Sequence, residues 1–396
     1  MKLNVVFLHP DLGIGGAERL VVDAAVAMKE SGHSVQFITN HHNSSHCFEE
    51  TKDGTLPVMV VGDWLPRTVL GKCYALCSYV RMIYAAVYLT FFSSFNPDVV
   101  FVDQISVCIP ILNYMTCKII FYCHYPDQLL AAHDNTLKRY YRLPLDWLEE
   151  KTTACADSIL VNSYFTLSVF KNTFRSIEKL PEVVYPSINT AIFDNTKSVN
   201  LDNIIEVESG KFILSINRFE RKKNIELAIH SLSLLTEKNI KLVLAGGYDP
   251  FNLENIEYFQ ELVKLVQDMN LSNRIIFLKS PSDTVKISLL RQCSCLVYTP
   301  SNEHFGIVPL EAMYCSKPVV AVNNGGPKET IENDYNGFLQ NAKPKNFANA
   351  IKLIVENEEK AELFGKRGKK RFDDIFSFGA FKNKINSVLE NIKKSE

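Results

Sequence analysis

Short apolar segments alternate with helical segments along most of the chain, and this alternation constrains the fold more than any other feature. Each apolar segment has the length of a strand buried on both faces of a sheet. Strands that are connected through helices run parallel. The alternation is interrupted once, by polar residues 187–210, and restarts at Lys211. We therefore predict an α/β protein with two doubly wound parallel sheets in two domains.

The predicted domains are residues 1–186 and 211–376, joined by a linker at 187–210. An amphipathic helix at 377–396 is expected to cross back to the first domain. The strands expected in the two domains are 3–8, 35–39, 98–102, 118–123, 158–161, 182–185, 211–216, 241–245, 274–278, 294–298 and 318–322. The main helices expected between them are 138–156, 164–174, 224–235 and 253–268.

Composition excludes several functional classes. The net charge of −1 lacks the basic excess expected of a nucleic-acid-binding protein. The ten cysteines form no C-x-x-C pair, so neither a zinc motif nor a redox motif is indicated. Scattered cysteines of this kind favour a protein of a reducing compartment. The apolar N-terminus is interrupted by His9, Pro10 and Asp11, so it is too short for a signal peptide and predicts a first strand.

Residues 64–95 are unusually aromatic and apolar, with only Arg67, Lys72 and Arg81 charged. The uncharged part after Arg81 is shorter than the roughly 20 residues that a spanning helix needs. Two interpretations remain open. The segment is either a buried helix pair in the first domain or an apolar surface helix that dips into a membrane.

In the second domain, a buried strand is followed by a loop and a helix that begins near Phe305 or Gly306. A glycine at a helix start leaves the first backbone N–H groups uncovered, and the helix dipole favours an anion there. Glu303 precedes this helix and Glu311 lies within it. Carboxylates accept hydrogen bonds from the paired hydroxyls of a sugar or a ribose. Each residue alone has an ordinary structural explanation, but together they indicate a nucleotide-sugar site.

Two cations follow the first strand of the second domain. Arg218 offers a fork that matches phosphate oxygens, and Lys223 offers a mobile point charge. Both lie at the carboxyl end of their strand, where ligands bind in open α/β sheets, and therefore predict a diphosphate contact. The neighbouring Arg221 and Lys222 are more simply explained as solvated charges. No Asp-x-Asp pair is present, so cations and helix amides are expected to replace a metal ion.

The first domain opens with a glycine loop that contains Gly15 and Gly16. A dinucleotide fingerprint would need glycine in place of Glu18 and an acid closing the second strand, so an NAD site is disfavoured. The loop still allows backbone to approach a phosphate or a sugar. His124 ends a strand before a Tyr-Pro turn and is expected to contact substrate. Asp103, at the end of another strand, is a weaker candidate.

These residues together resemble the retaining family-4 glycosyltransferases of GT-B fold, which consist of two facing Rossmann-like domains with an interdomain cleft. Glu303 and Glu311 match the E-x7-E pattern, Arg218 and Lys223 match R-x4-K, and the glycine loop matches as well. The resemblance covers the whole chain. The segments 9–19, 121–126, 217–224 and 299–313 are most similar to mannosyltransferases of the dolichol pathway in the endoplasmic reticulum.

This resemblance implies GDP-mannose as donor and dolichol-diphosphate-linked Man-GlcNAc2 as acceptor. One active site would add an α-1,3 and an α-1,6 mannose, in either order, on the cytosolic face of the endoplasmic reticulum membrane. It implies no cofactor and no nucleic acid, and it leaves room for a complex with other early-pathway mannosyltransferases. The first domain would bind acceptor and the second would bind nucleotide sugar.

The resemblance also implies roles for individual residues. Glu303 would contact the donor sugar, Glu311 the ribose, and Arg218 with Lys223 the departing diphosphate, while His124 would lie near the mannose. The other expected donor contacts are Gly15, Gly16, Lys279, Phe305, Gly306 and Ile307. The expected acceptor contacts are His9, Asp11, Asp103 and Tyr125. Three alternatives stay open: a family-4 enzyme with another donor such as a UDP-sugar, a non-catalytic GT-B subunit that binds lipid-linked sugar or a partner enzyme, and a sugar-nucleotide epimerase.

Overall fold

The computed structural model describes residues 2–69, 71, 73–130, 136–202, 204–205, 211–237 and 239–394. The chain folds into two compact units. Unit 1 contains Met1–Pro186 and Phe378–Glu396, and unit 2 contains Ser187–Ser377. Residues 203 and 206–210 of the predicted linker lie outside the described residues.

Unit 1 is built on a seven-stranded sheet in which all neighbouring strands pair in parallel. In chain order the strands are β1 (Asn4–His9), β2 (Ser34–Thr39), β3 (Val58–Val60), β4 (Val99–Asp103), β5 (Lys118–Cys123), β6 (Ser158–Val161) and β7 (Glu182–Val183). Their spatial order is β3-β2-β1-β4-β5-β6-β7. The strand order therefore reverses between β1 and β4, which is the point where open α/β sheets form their ligand crevice.

Helices cover both faces of this sheet. They are α1 (Gly16–Glu30), α2 (Tyr74–Val87), α3 (Ile109–Leu112), α4 (Asp127–Leu130), α5 (Thr136–Thr153) and α6 (Tyr164–Thr173). Alternation along β1 sends Val5 and Phe7 into the core beneath α1, and Val6 and Leu8 into the core on the opposite face. Burial on both faces explains why these strands are continuously apolar.

Unit 2 has a six-stranded parallel sheet. The strands are β8 (Phe212–Ile216), β9 (Lys241–Gly246), β10 (Ile275–Lys279), β11 (Cys295–Tyr298), β12 (Val319–Val322) and β13 (Gly337–Gln340), in spatial order β10-β9-β8-β11-β12-β13. The helices are α7 (Thr190–Asn195), α8 (Glu226–Ser233), α9 (Leu253–Asp268), α10 (Asp283–Gln292), α11 (Ile307–Tyr314), α12 (Pro327–Thr330), α13 (Pro344–Val355) and α14 (Glu358–Arg371). Here the order reverses between β8 and β11.

The last helix, α15 (Phe378–Lys394), belongs to unit 1 rather than to the unit that precedes it. Its apolar stripe, which includes Phe381, Ile385 and Val388, is buried in the core beneath α1. Lys382 pairs with Glu30 at 2.9 Å. The amphipathic pattern of this helix is therefore explained by packing within unit 1.

Part of the apolar segment 64–95 forms one continuous helix, because α2 is extended by a π-helical turn at Tyr88–Phe92. Within 64–95, the described residues before Tyr74 form no helix, so a single helix stands in place of the expected helix pair. Tyr74–Phe92 is long and apolar enough to cross a membrane, but 39% of its apolar stretch is buried inside the protein. Since a core helix of a soluble protein can meet the same criteria, this is weak evidence for a membrane span.

Candidate active site

In unit 2, the loops that follow β8 and β11 bring together two of the predicted residues. Nζ of Lys223 lies 2.7 Å from Oε2 of Glu303, although the residues are 80 positions apart. The side chains are 12% and 25% exposed, so the ion pair is shielded but reachable from solvent. β8 and β11 are neighbours at the reversal of the sheet, and this topology explains why the two loops meet.

Backbone contacts fix both members of this pair. The hydroxyl of Thr299 donates to the carbonyl of Lys223 at 2.7 Å, and the amide of Gly326 donates to the carbonyl of Glu303 at 2.8 Å. A Cβ on Gly325, whose φ is +66°, would lie 2.5 Å from that same carbonyl oxygen. The glycine pair therefore allows the loop after β12 to press against the Glu303 loop. We did not predict this role, although Asn-Asn-Gly-Gly-Pro is a recognisable turn sequence.

Gly306 caps the N-terminus of α11 with φ at +89°, a conformation that favours glycine. A Cβ at this position would lie 3.3 Å from the Tyr298 hydroxyl. Burial and the neighbouring Glu303 carboxylate raise the pKa of Tyr298 well above its ordinary value. Ile307 begins the helix, so its amide and those of the first turn lack intrahelical partners. Phe305 is buried, with its ring 5.9 Å from that of Phe376.

Two other predicted donor residues make different contacts. The side chain of Arg218 is 61% exposed and pairs with Glu220 at 2.9 Å, outside the Lys223–Glu303 pair. Nζ of Lys279 lies over the rings of Tyr248 and Phe259, at 3.8 and 3.7 Å from their centroids. The structure therefore joins Lys223 and Glu303 directly, and the Arg218 side chain lies outside that pair.

Glu311 is buried on α11 and has a partner that we did not predict. Nζ of Lys286, on α10, lies 2.7 Å from Oε1 of Glu311. Burial raises the pKa of Glu311, and the Lys286 charge opposes that shift. Nothing in the local sequence around Lys286 signals the contact, because it joins two helices that meet only in the folded unit.

In unit 1, the reversal of the sheet brings together three of the predicted residues. Asp103 at the end of β4 lies between two histidines: Oδ2 is 2.9 Å from Nδ1 of His9, and Oδ1 is 2.7 Å from Nε2 of His124. His9 and Asp103 are completely buried, whereas the His124 side chain is 20% exposed. His9 and Asp103 therefore contact protein in this structure, and only His124 presents a surface to a ligand.

The buried His9 lies between oxygen atoms on both sides of its ring. Its Nε2 donates to the carbonyl of Asp11 at 3.0 Å, and Nδ1 faces the Asp103 carboxylate, so both nitrogens face acceptors. Burial alone would lower the pKa of His9, but the nearby carboxylates of Asp103 and Glu18 outweigh it and raise the pKa to about 9. Burial would raise the pKa of Asp103, but the charge of His124 and its other partners hold it below its usual value.

The glycine loop lies beside this network. Gly15 precedes the first turn of α1, and Gly16 begins the helix with open space where a Cβ would project. The carboxylate of Glu18 folds back over Gly15 and lies 3.9 Å from Nε2 of His9. Asp11 is 3.7 Å from Arg67.

Tyr125 follows His124 in the turn that leads to α4. Its side chain is half-buried, and burial raises the pKa of its hydroxyl.

Comparison with known proteins identifies the family. Residues 14–192 match the Glycosyltransferase Family 4 model, and residues 200–371 match the model for Glycosyl transferases group 1. The chain is 48% identical over 396 residues to the alpha-1,3/1,6-mannosyltransferase ALG2 of Homo sapiens, covering 97% of this chain and 95% of the relative. The chain belongs to the alpha-1,3/1,6-mannosyltransferase family. The Saccharomyces cerevisiae member of this family is 40% identical, over 99% of this chain and 85% of the relative.

Solved structures agree with the GT-B fold predicted for this mannosyltransferase family. Sucrose-phosphate synthase from Thermosynechococcus elongatus has a TM-score of 0.77 and 18% identity, with all of both chains covered. Anabaena HepE, solved in complex with UDP and glucose, has a TM-score of 0.72 and 18% identity, covering 98% of this chain and 99% of that one. At these identities the similarity shows the fold alone.

Proposed function

We propose that this protein is a retaining mannosyltransferase that transfers mannose from GDP-mannose to dolichol-diphosphate-linked Man-GlcNAc2. It would add one α-1,3 and one α-1,6 mannose to give the Man3GlcNAc2 intermediate of N-glycan assembly. The observation that carries this proposal is the 48% identity, along nearly the whole length of both chains, to a relative named as an alpha-1,3/1,6-mannosyltransferase. A nucleotide-sugar donor and a lipid-linked oligosaccharide acceptor follow from the family.

Unit 2 would bind the donor. The diphosphate would take Lys223 as its cationic partner, and the free amides at the start of α11 would donate to the same oxygens. Displacing Lys223 in this way would release Glu303 to accept hydrogen bonds from mannose hydroxyls. Arg218, which is exposed and paired with Glu220, would join the diphosphate when donor is present. Glu311, further along α11, would bind the ribose.

Unit 1 would bind the acceptor, and its His124 would contact a sugar hydroxyl. Because Asp103 accepts from Nε2 of His124, the ring is held in one orientation. No polar atom among the described residues pairs with Nδ1 of His124, so this nitrogen can meet a sugar hydroxyl. His124 and the buried His9 together hold the pKa of Asp103 below its ordinary value. We therefore assign His9 and Asp103 to positioning His124, in place of direct contact with acceptor.

The transfer would proceed by attack on the same face of the mannose from which GDP departs. The acceptor hydroxyl forms a bond to the anomeric carbon while the bond to the β-phosphate oxygen breaks, so the configuration is retained. The departing phosphate oxygen takes the proton of the acceptor hydroxyl. Lys223 and the helix amides stabilise the negative charge that grows on GDP. No separate protein base is required in this scheme.

A membrane contact is proposed for the helix Tyr74–Phe92, since the acceptor is carried on a lipid. Phe91 and Phe92 at its end are 61% and 73% exposed, and Trp64 and Tyr74 near its start are also exposed. Aromatic side chains favour the interface between water and lipid. We propose that this helix lies on or dips into the endoplasmic reticulum membrane, with the catalytic units on the cytosolic side.

The direct test is incubation of the purified chain with lipid-linked Man-GlcNAc2 and GDP-mannose, followed by mass and linkage analysis. Two added mannoses, one α-1,3 and one α-1,6, are expected, with no loss on adding EDTA. A parallel reaction with UDP-glucose should give no product. Transfer from the UDP-sugar, donor turnover without acceptor, or no transfer at all would each contradict the proposal.

A further inference from the structure

An ion pair between two helices of unit 2 holds one of the proposed donor-binding carboxylates. Lys286 on α10 contacts Glu311 on α11 at 2.7 Å, and their side chains are 27% and 10% exposed. Lys286 belongs to none of the patterns by which the site was predicted. The ion pair is largely shielded from solvent, so the charge of Lys286 acts on Glu311 with little screening.

The two oxygens of Glu311 have different surroundings. Oε1 accepts from Lys286, whereas Oε2 is buried and accepts from no donor among the described residues. A buried acceptor without a donor costs about 1–3 kcal/mol, and more when it is charged. This cost indicates that Oε2 meets a hydroxyl or another donor in the working state of the protein.

The position of Glu311 along its helix indicates which part of a donor would supply that hydroxyl. Glu311 lies five residues beyond Gly306, which corresponds to about 7.5 Å along the helix axis. If phosphate occupies the helix start, the next group along the donor is the ribose, whose hydroxyls can donate. A carboxylate repels phosphate and accepts from hydroxyls, so Glu311 is suited to the ribose side of the diphosphate.

We propose that Lys286 is a positioning residue that fixes Glu311 so that Oε2 accepts a hydrogen bond from a ribose hydroxyl, and that the pair selects ribonucleotide over deoxyribonucleotide donors. The proposal rests on the proposed function, because it requires unit 2 to bind a nucleoside diphosphate sugar. Lys286 occupies Oε1 and sets the plane of the carboxylate. Without it, Glu311 would be free to rotate or to take up a proton, and the directed hydrogen bond would be lost.

The test compares GDP-mannose with its 2′-deoxy and 3′-deoxy guanosine analogues, using the full-length chain and lipid-linked acceptor. A hydrogen bond to a charged group predicts that the wild-type protein prefers GDP-mannose over at least one analogue by about tenfold to a hundredfold in kcat/KM. Lys286→Met should reduce that preference to about threefold or less, mainly through a higher KM for GDP-mannose. Lys286→Arg should restore the preference, because it retains the cation.

Lys360→Met provides a matched control. Lys360 pairs with Asp334 at 3.0 Å and is 29% exposed, which is close to the value for Lys286, but it lies outside the proposed site. This variant should keep the wild-type preference. Calorimetric binding of GDP and of its two deoxy analogues, without acceptor, gives a second measurement that does not depend on turnover.

Two results would overturn the proposal. In the first, Lys286→Met lowers activity equally with all three donors and keeps the wild-type preference, which would make the ion pair merely structural. In the second, the wild-type protein transfers mannose but does not distinguish the donors, so that the ribose assignment fails while the proposed function stands. Absence of transfer from GDP-mannose by the wild-type protein would instead refute the proposed function, and the GDP binding data would still decide the role of Lys286.

Discussion

Replacing His9 with glutamine is expected to remove a pH-dependent contribution to the stability of unit 1. In the folded protein both nitrogens of His9 face oxygen acceptors, and its pKa is raised from 6.5 to about 9. In the unfolded chain those contacts are lost and the imidazole regains its ordinary pKa. The folded state therefore binds a proton more tightly than the unfolded state does.

The sign and the size of the effect follow from this difference. Because the folded pKa lies above the unfolded one, the stabilisation is complete below pH 6.5 and is lost as the pH rises through 9. At 1.36 kcal/mol for each pKa unit, the contribution of His9 is about 3 kcal/mol. His9 and Asp103 are both completely buried, so solvent screens their interaction little. Asp103, whose pKa is lowered, titrates at more acid pH and does not contribute in this window.

The assay is urea unfolding of the wild-type protein and of His9→Gln between pH 6 and pH 10. Trp64 and Trp147 are the tryptophans of the chain, and both lie in unit 1, so their fluorescence follows this unit. The difference in unfolding free energy between the two proteins should shrink by about 3 kcal/mol from pH 6 to pH 10. Groups that titrate in both proteins cancel in this difference, and His230→Gln, outside the network, controls for loss of a histidine. A difference that stays constant over this range would refute the argument that His9 is protonated.

Other variants test the donor site and the membrane contact. Lys223→Met should lower kcat by about 100- to 1000-fold, as expected on removing a donor to a charged leaving group. Lys222→Met removes an exposed neighbouring cation and should leave kcat within about threefold of the wild type. Equal losses of kcat in the two variants would contradict the proposed role of Lys223. Gly325→Ala should destabilise unit 2 by about 1–3 kcal/mol in thermal unfolding, since its Cβ would lie 2.5 Å from a backbone oxygen; an unchanged melting temperature would show that the contact relaxes freely. Replacing Phe91 and Phe92 with serine should weaken liposome flotation without changing the melting temperature, because both rings are exposed; undiminished flotation would exclude this contact.

The sequence predicted the sheets well because most strands are buried on both faces and are therefore continuously apolar. Two short edge strands, β3 and β13, were missed. β3 has only three residues and lies at the edge of its sheet, and β13 begins with glycine, which is unfavourable in strands. Edge strands receive less burial, so their sequences carry a weaker apolar signal.

The site was predictable to the extent that topology alone determines it. Lys223 and Glu303 each follow a strand at its carboxyl end, and parallel strands bring those ends to one edge of the sheet. Pairing partners on other elements carry no such signal. Lys286 resembles any helical lysine in the sequence, and only the packing of α10 on α11 makes it the partner of Glu311. Similarly, the sequence predicts that His9 and Asp103 contact ligand, but both are completely buried in the structure. Their burial depends on which residues cover the strand ends, and the local sequence does not show this.

The two units share a sheet topology but differ in how deeply the charged side chains at the reversal are buried. At the reversal in unit 2, Lys223 and Glu303 neutralise each other in a partly exposed pair. Such a pair is readily exchanged, because a diphosphate can replace Glu303 as the partner of Lys223 without leaving a buried charge alone. At the reversal in unit 1, Asp103 lies between two histidines, and two of the three side chains are completely buried. A network buried to this extent cannot exchange partners at low cost, so it is suited to holding His124 still. In these two clusters, the partly exposed side chains are therefore the ones proposed to meet ligand, and the completely buried ones are proposed to position His124.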